Sequence, residues 1–131
     1  MGQVARAEIP YKFPSFNEYI RICRGNKYVA NKYKQQIEIN IGYALNRIQA
    51  FSKPIFINFT WVEGNNRRDW DNVTYAKKFI LDALVKLGKL PDDGRKYVTG
   101  YSDCGGYEKG VWKVIVEIKE IDAEGGESWN K

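Results

Sequence analysis

The sequence predicts an α/β (α+β) fold in a single compact domain: a mixed β-sheet carrying two helices, in the order β-α-β-α-β-β. Three observations support this. Residues around 54–62 and 112–118 alternate in the two-residue period of a pleated strand. Two other stretches carry apolar residues at helical spacing. The chain has 131 residues, enough for one buried core but too few for two.

The elements follow in order. Ile9, Tyr11 and Phe13 alternate with polar residues or proline and predict a first strand. Pro10 and Pro14 bound it, so it should be short or lie at an edge, because proline cannot donate to a ladder. A polar, basic loop with a Gly25-Asn26 turn is expected next. From about Asn31, the residues Tyr33, Ile37, Ile41, Ala44, Leu45 and Ile48 form one helical stripe, which Lys53-Pro54 ends. Ile55, Ile57, Phe59 and Trp61 alternate with Phe56, Asn58, Thr60 and Val62, predicting a central strand over 54–62.

Val73, Ala76, Ile80, Ala83, Leu84 and Leu87 predict one continuous helix from Asn72 to Leu87, with Gly88 just past its end. Pro91-Asp92-Asp93-Gly94 reads as a turn. Lys96 to Ser102 reads as a strand, and Gly105-Gly106 as the start of another turn. Trp112, Val114, Val116 and Ile118 alternate with Lys113, Ile115, Glu117 and Lys119 and predict the last strand. The domain is expected over residues 1–122, with a frayed tail from Ala123.

Composition narrows the chemistry. An apolar share of 44% and an aromatic share of 15% belong to a globular chain rather than a disordered one. No run approaches a membrane span, and Met1 to Arg6 lack the apolar run of a signal peptide, so a cytoplasmic protein is expected. Cys23 and Cys104 form no paired motif and are expected to be free thiols.

Histidine is absent, which excludes Ser-His and Cys-His nucleophile systems and zinc sites with imidazole ligands. An enzyme of this composition would work through carboxylates, lysines, tyrosines or a bound metal. The net charge is +5, and between Ile20 and Ile37 alone stand five cations (Arg21, Arg24, Lys27, Lys32, Lys34) and no acid. Such a stretch attracts polyanions, although a solvated loop has the same composition.

Two acidic groups stand out. Asp69 and Asp71, in Arg67-Arg68-Asp69-Trp70-Asp71-Asn72, precede the second helix. On an extended chain, residues at i and i+2 project to one side, and two carboxylates so placed repel each other unless a cation lies between them. Magnesium or manganese suits such oxygen ligands. Asp92-Asp93 follows the same helix, which would be about 24 Å long at ~1.5 Å per residue. The chain after the helix must therefore fold back if both groups are to share an ion. Each motif also has a plain reading: Asp71 or Asn72 as a helix cap, and Pro-Asp-Asp-Gly as a turn.

The ordered set Asp69-Trp70-Asp71-Asn72, Lys77-Lys78, Asp82-Ala83-Leu84 and Asp92-Asp93, with Pro14-Ser15-Phe16-Asn17 before it, resembles the RusA-type Holliday-junction resolvases over most of the chain. The resemblance implies a homodimer that binds four-way DNA junctions and makes paired symmetric nicks, with Mg2+ or Mn2+ as cofactor and without a small-molecule cofactor or a membrane. It matches Asp69 and Asp71 to the first two catalytic, metal-binding carboxylates. Asp93 matches the third, with Asp92 as the alternative metal ligand.

The stretch from Asp71 to Asp82 is three residues longer than the family pattern. Anchoring on Asp82 assigns the catalytic lysine to Lys78, whereas anchoring on Asp71 would place it at Tyr75. In a regular helix Lys78, seven residues on, would point the same way as Asp71. Arg24, Lys27, Lys32, Arg67, Arg68 and Lys77 are the expected DNA-binding residues. Two other classes remain open: a non-catalytic nucleic-acid-binding module stacking bases on Tyr97, Tyr101 or Trp112, and a protein with a calcium-stabilised loop. The second lacks the regular acid spacing of an EF-hand.

Overall fold

The computed structural model describes residues 2–121. The expected fraying from Ala123 lies outside the described residues. The elements are β1 (Val4–Ile9), α1 (Phe16–Arg24), α2 (Lys27–Leu45), β2 (Ile55–Glu63), α3 (Trp70–Thr74), α4 (Lys77–Lys86), β3 (Val98–Tyr107) and β4 (Lys113–Glu120). The strands form one mixed sheet in the order β1-β4-β2-β3, with β2 and β3 parallel and the other pairs antiparallel. The α+β class and the strand count agree with expectation. The second expected helix, however, is divided into α3 and α4, and α1 is an additional helix in the stretch expected to be a loop.

The first strand lies earlier than expected. It is Val4–Ile9, paired from Val4↔Lys119 to Ile9↔Val114. Pro10 has no N–H to continue that ladder. Tyr11 and Phe13 nevertheless pack: Phe13 is buried, with its ring centroid 6.5 Å from Trp61 and 6.2 Å from Phe79.

The expected basic loop is a helical corner instead. Ser15 and Glu18 form a capping box that starts α1, the serine hydroxyl accepting from the Glu18 N–H at 3.2 Å and the Glu18 carboxylate from the Ser15 N–H at 3.2 Å. Asn26 caps α2, accepting from the N–H groups of Tyr28 at 2.8 Å and Val29 at 3.3 Å.

One face of the sheet carries the core. Ile55, Ile57, Phe59 and Trp61 of β2 join Val114, Val116 and Ile118 of β4 in one cluster with Ile37, Ile41 and Leu45 of α2 and Ile80, Ala83 and Leu84 of α4. On the other face Asn58 donates to Glu117 at 3.2 Å and accepts from the Ser102 hydroxyl.

The predicted helix from Asn72 to Leu87 breaks after Thr74. Tyr75 is drawn toward the N-terminal segment, its hydroxyl donating to the Pro14 carbonyl at 2.6 Å. α4 then starts afresh at Lys77.

The third strand begins and ends later than expected. Val98 and Tyr97 both donate to the Gly94 carbonyl, so residues 94–97 are a turn. Gly105 and Gly106 lie inside β3, paired with Trp61 and Val62. The expected turn comes after them, where Gly110 adopts φ 75° and donates to the Gly64 carbonyl at 3.0 Å.

Candidate functional site

β2 and β3 run parallel, and their carboxyl ends open onto a cleft of about 390 Å³ lined by Glu63, Arg68, Asp69, Trp70, Gly105 and Tyr107, among others. The carboxyl ends of parallel strands are where open α/β sheets characteristically place ligands. Trp70 closes one side by lying over Gly105, where a methyl group would fall inside contact distance of the indole ring.

Asp69 stands at the N-cap position of α3 in extended conformation (φ −73°, ψ 150°), but its side chain makes no capping bond. Asp71 lies in the first turn of α3. The i, i+2 argument for an extended chain therefore does not apply, because Asp71 is helical. Both residues are exposed, and neither carboxylate has a hydrogen bond or ion pair among the described residues. Asp71 does sit where a helix N-terminus favours negative charge.

The second acidic pair divides. Asp92 serves the turn, accepting from the Gly94 N–H at 3.3 Å. Asp93 is 3.2 Å from Lys78, whose ammonium is also 3.0 Å from Asp82 one helical turn on. The chain after α4 thus folds back far enough to bring Asp93 to a lysine in the first turn of α4, which is not the shared ion site with Asp69 and Asp71 that the sequence reading required. Hydrogen bonds to Asp82 and then Asp93 hold the Lys78 pKa above the ordinary lysine value. The break between α3 and α4 removes the helical-wheel argument that linked Lys78 with Asp71. Tyr75, the rival position for the lysine, sits at the joint with its phenol bonded inward, and burial raises its pKa.

Among the described residues no group of three acidic or thiol side chains could hold one metal ion. The expected triad of Asp69, Asp71 and Asp93, with Asp92 as alternative ligand, is therefore not assembled in the single chain. Asp69 and Asp71 remain as two exposed carboxylates at the start of α3, one at its N-cap position and one in its first turn.

The expected DNA contacts sort by environment. Arg68 is not free to reach a phosphate. Its Nε and Nη2 donate to Glu63 Oε1 and Oε2, both at 2.8 Å, and Nη1 donates to the Phe13 carbonyl at 2.7 Å. Lys77 is held internally too, 2.6 Å from Asp103 and 4.3 Å above the Tyr101 ring. Arg67, Arg24 and Lys27 are exposed, with no side-chain hydrogen bond or ion pair among the described residues. Lys32 lies 5.6 Å over Tyr28.

Sequence reasoning missed Asp103. It joins the Lys77 ammonium to the Trp61 indole N–H, which donates to it at 2.8 Å. No local motif marks it, because its partners come from β2 and α4. Cys23 and Cys104 are free and exposed. Among the described residues no helix is long and apolar enough to cross a membrane. A scan of the chain against protein-family models returns no match, and a search of curated proteins finds no relative.

Proposed function

We propose that the protein is a metal-dependent endodeoxyribonuclease that resolves four-way DNA junctions, in the manner of the RusA-type enzymes its motifs resemble. The observation that carries this reading is the pair Asp69 and Asp71. These are two exposed carboxylates without a partner among the described residues: Asp69 lines the cleft at the carboxyl ends of parallel β2 and β3, and Asp71 follows in the first turn of α3. A carboxylate pair without protein donors is suited to a divalent cation and has no evident part in holding the fold.

Asp69 and Asp71 would hold Mg2+ or Mn2+, which when bound activates water and neutralises charge on a phosphodiester. Arg67 and the cations of the α1–α2 corner hold DNA phosphates, fixing position without reading sequence. The Lys78 ammonium is already paired with Asp82 and Asp93, so it offers a phosphate no net positive charge. Its raised pKa also makes it a poor proton donor. Asp93 orients that ammonium rather than binding the ion. One site cuts one strand, so paired symmetric nicks call for a homodimer with two-fold symmetry.

A non-catalytic nucleic-acid-binding module is the second reading, favoured by Tyr101 and Tyr107, 54% and 65% exposed on β3. One experiment separates the two: incubation of a synthetic mobile four-way junction, with linear and forked duplex controls, in Mg2+ or in EDTA. The nuclease reading expects paired nicks in the junction with Mg2+ only, and Asp71→Asn should bind the junction without cutting it. Cleavage by Asp71→Asn near the wild-type rate overturns the carboxylate assignment. Binding without cleavage by the wild-type protein establishes the second reading.

A further inference from the structure

We propose that the α1–α2 corner is a wedge that enters branched DNA, with Tyr28 stacking on a base exposed at the branch point while Arg24, Lys27 and Lys32 hold flanking phosphates. This rests on the junction-binding part of the proposed function and adds how a branch is told from a plain duplex.

The corner projects. α1 has no buried residue, and the first buried residue of α2 is Ile37. Tyr33 packs against the core in part, and the six residues of α2 before it, at ~1.5 Å each, extend about 9 Å beyond that first packed side chain. An arm this polar would fray without anchors, and it has them at both ends. The capping box of Ser15 and Glu18 starts α1, and Asn26 starts α2. At its base, Phe16 and Tyr19 lie 5.2 Å and 6.1 Å from Tyr75, and Tyr19 lies 5.1 Å from Phe79. The arm is therefore tied to the same α3–α4 segment that carries Asp71.

At the tip stand two residues the fold does not use. Tyr28 is 70% exposed and Val29 54%. Lys32, one turn on from Tyr28, lies 5.6 Å above its ring, so the ring presents a cation-backed face. Arg21, Arg24, Lys27 and Lys34 have no hydrogen bond or ion pair among the described residues, and no acid interrupts them. The charge selects a polyanion. The flat ring at the apex selects one with bases to stack on, and a branch point is where bases lose a neighbour.

The test measures binding in EDTA, which removes cleavage from the readout. The probes are a fluorescein-labelled immobile four-way junction with 2-aminopurine at the branch point, and a linear duplex of the same sequence. Tyr28→Ala is expected to bind the junction about ten- to a hundredfold more weakly. Its duplex affinity, salt dependence and Tm should not change, and the 2-aminopurine signal produced by the wild-type protein should be lost. Tyr28→Phe should behave as wild type. Lys27→Ala should weaken both DNAs alike and lower the salt slope by about one.

Junction affinity unchanged in Tyr28→Ala overturns the wedge even if the protein cuts junctions with Mg2+, so the nuclease reading survives that result. Tyr28-dependent junction binding without cleavage under Mg2+ keeps the wedge and removes the nuclease. Failure to bind either DNA removes both, and displacement by polyglutamate at equal charge overturns the preference for bases.

Discussion

Arg68→Met should unfold the protein far more readily without touching its hold on DNA. Glu63 closes β2 with a side chain only 8% exposed, and Arg68 is 14% exposed. Both carboxylate oxygens receive an N–H from Arg68 at 2.8 Å, and the third bond reaches Phe13 across 55 residues of sequence. Methionine keeps much of the packing volume but leaves the Glu63 carboxylate without those donors in a confined site. Breaking one side of such a pair costs about 3–5 kcal/mol, and the Phe13 carbonyl loses a donor worth about 1 kcal/mol. We take about 4 kcal/mol as the net cost, against a total stability of about 5–15 kcal/mol for a small domain. That corresponds to a fall in Tm of roughly 10–20 °C.

The assay is urea unfolding followed by tryptophan fluorescence, with m required to stay constant so that the midpoint reports stability. The double variant Arg68→Met/Glu63→Leu removes both charges and should recover most of the loss. In DNA titrations of the folded Arg68→Met protein, the salt slope should match wild type, because the guanidinium donors already point inward. A single variant within about 1 kcal/mol of wild type, or a salt slope lowered by about one at full stability, would return Arg68 to the role of a phosphate contact and refute the reasoning.

Other outcomes follow from the same geometry. Asp71→Asn, which has no side-chain partner among the described residues, should shift stability by no more than about 1 kcal/mol in urea melts while removing Mg2+-dependent cleavage. Gly105→Ala puts a methyl group into the space of the Trp70 ring. That indole is 48% exposed and can swing aside, so the expected result is a small change in Tm with a marked fall in cleavage as α3 shifts; unchanged cleavage would show that Trp70 does not position the acidic pair. Lys78, whose pKa is raised by Asp82 and Asp93, contributes stability that is fully present below its unfolded value of about 10.4 and is lost as pH rises through the higher folded value. Lys78→Met should therefore be less stable than wild type at pH 8, with the difference closing above the folded pKa; equal urea midpoints at pH 8 would rule out the contribution.

The sheet was readable where side chains alternate against a continuous core, as in Ile55 to Trp61 and Val114 to Ile118. The stripe Ile37, Ile41, Leu45 likewise marked the packed half of α2. α1 escaped because none of its residues is fully buried and Tyr19 packs against the core only in part; its clearest local signal was the Ser15–Glu18 capping box. The joint at Tyr75 and Ala76 contains neither proline nor glycine. It accompanies a hydrogen bond to Pro14, a tertiary partner that no local pattern announces. Gly105 and Gly106 looked like a turn because glycine usually breaks strands, yet Gly105 is small so that Trp70 can approach. At the candidate site, Asp69 and Asp71 were visible as a motif, whereas the pairing of Asp93 with Lys78 was not. What the sequence hid were the inward commitments of Arg68 and Lys77 and the surface pairing of Asp93, each set by a partner from elsewhere in the fold.

The sheet order also has a consequence for how the protein is made. Val4 pairs with Lys119 and Ile9 with Val114, so the earliest strand waits for the latest before it has any neighbour. Parallel β2 and β3 add a second long-range pairing. Such a topology folds slowly, since chain entropy is lost long before contacts repay it. During synthesis, β1 lacks its β4 partner until residues 113–120 leave the ribosome, which leaves Val4–Ile9 open to mispairing with a neighbouring nascent chain.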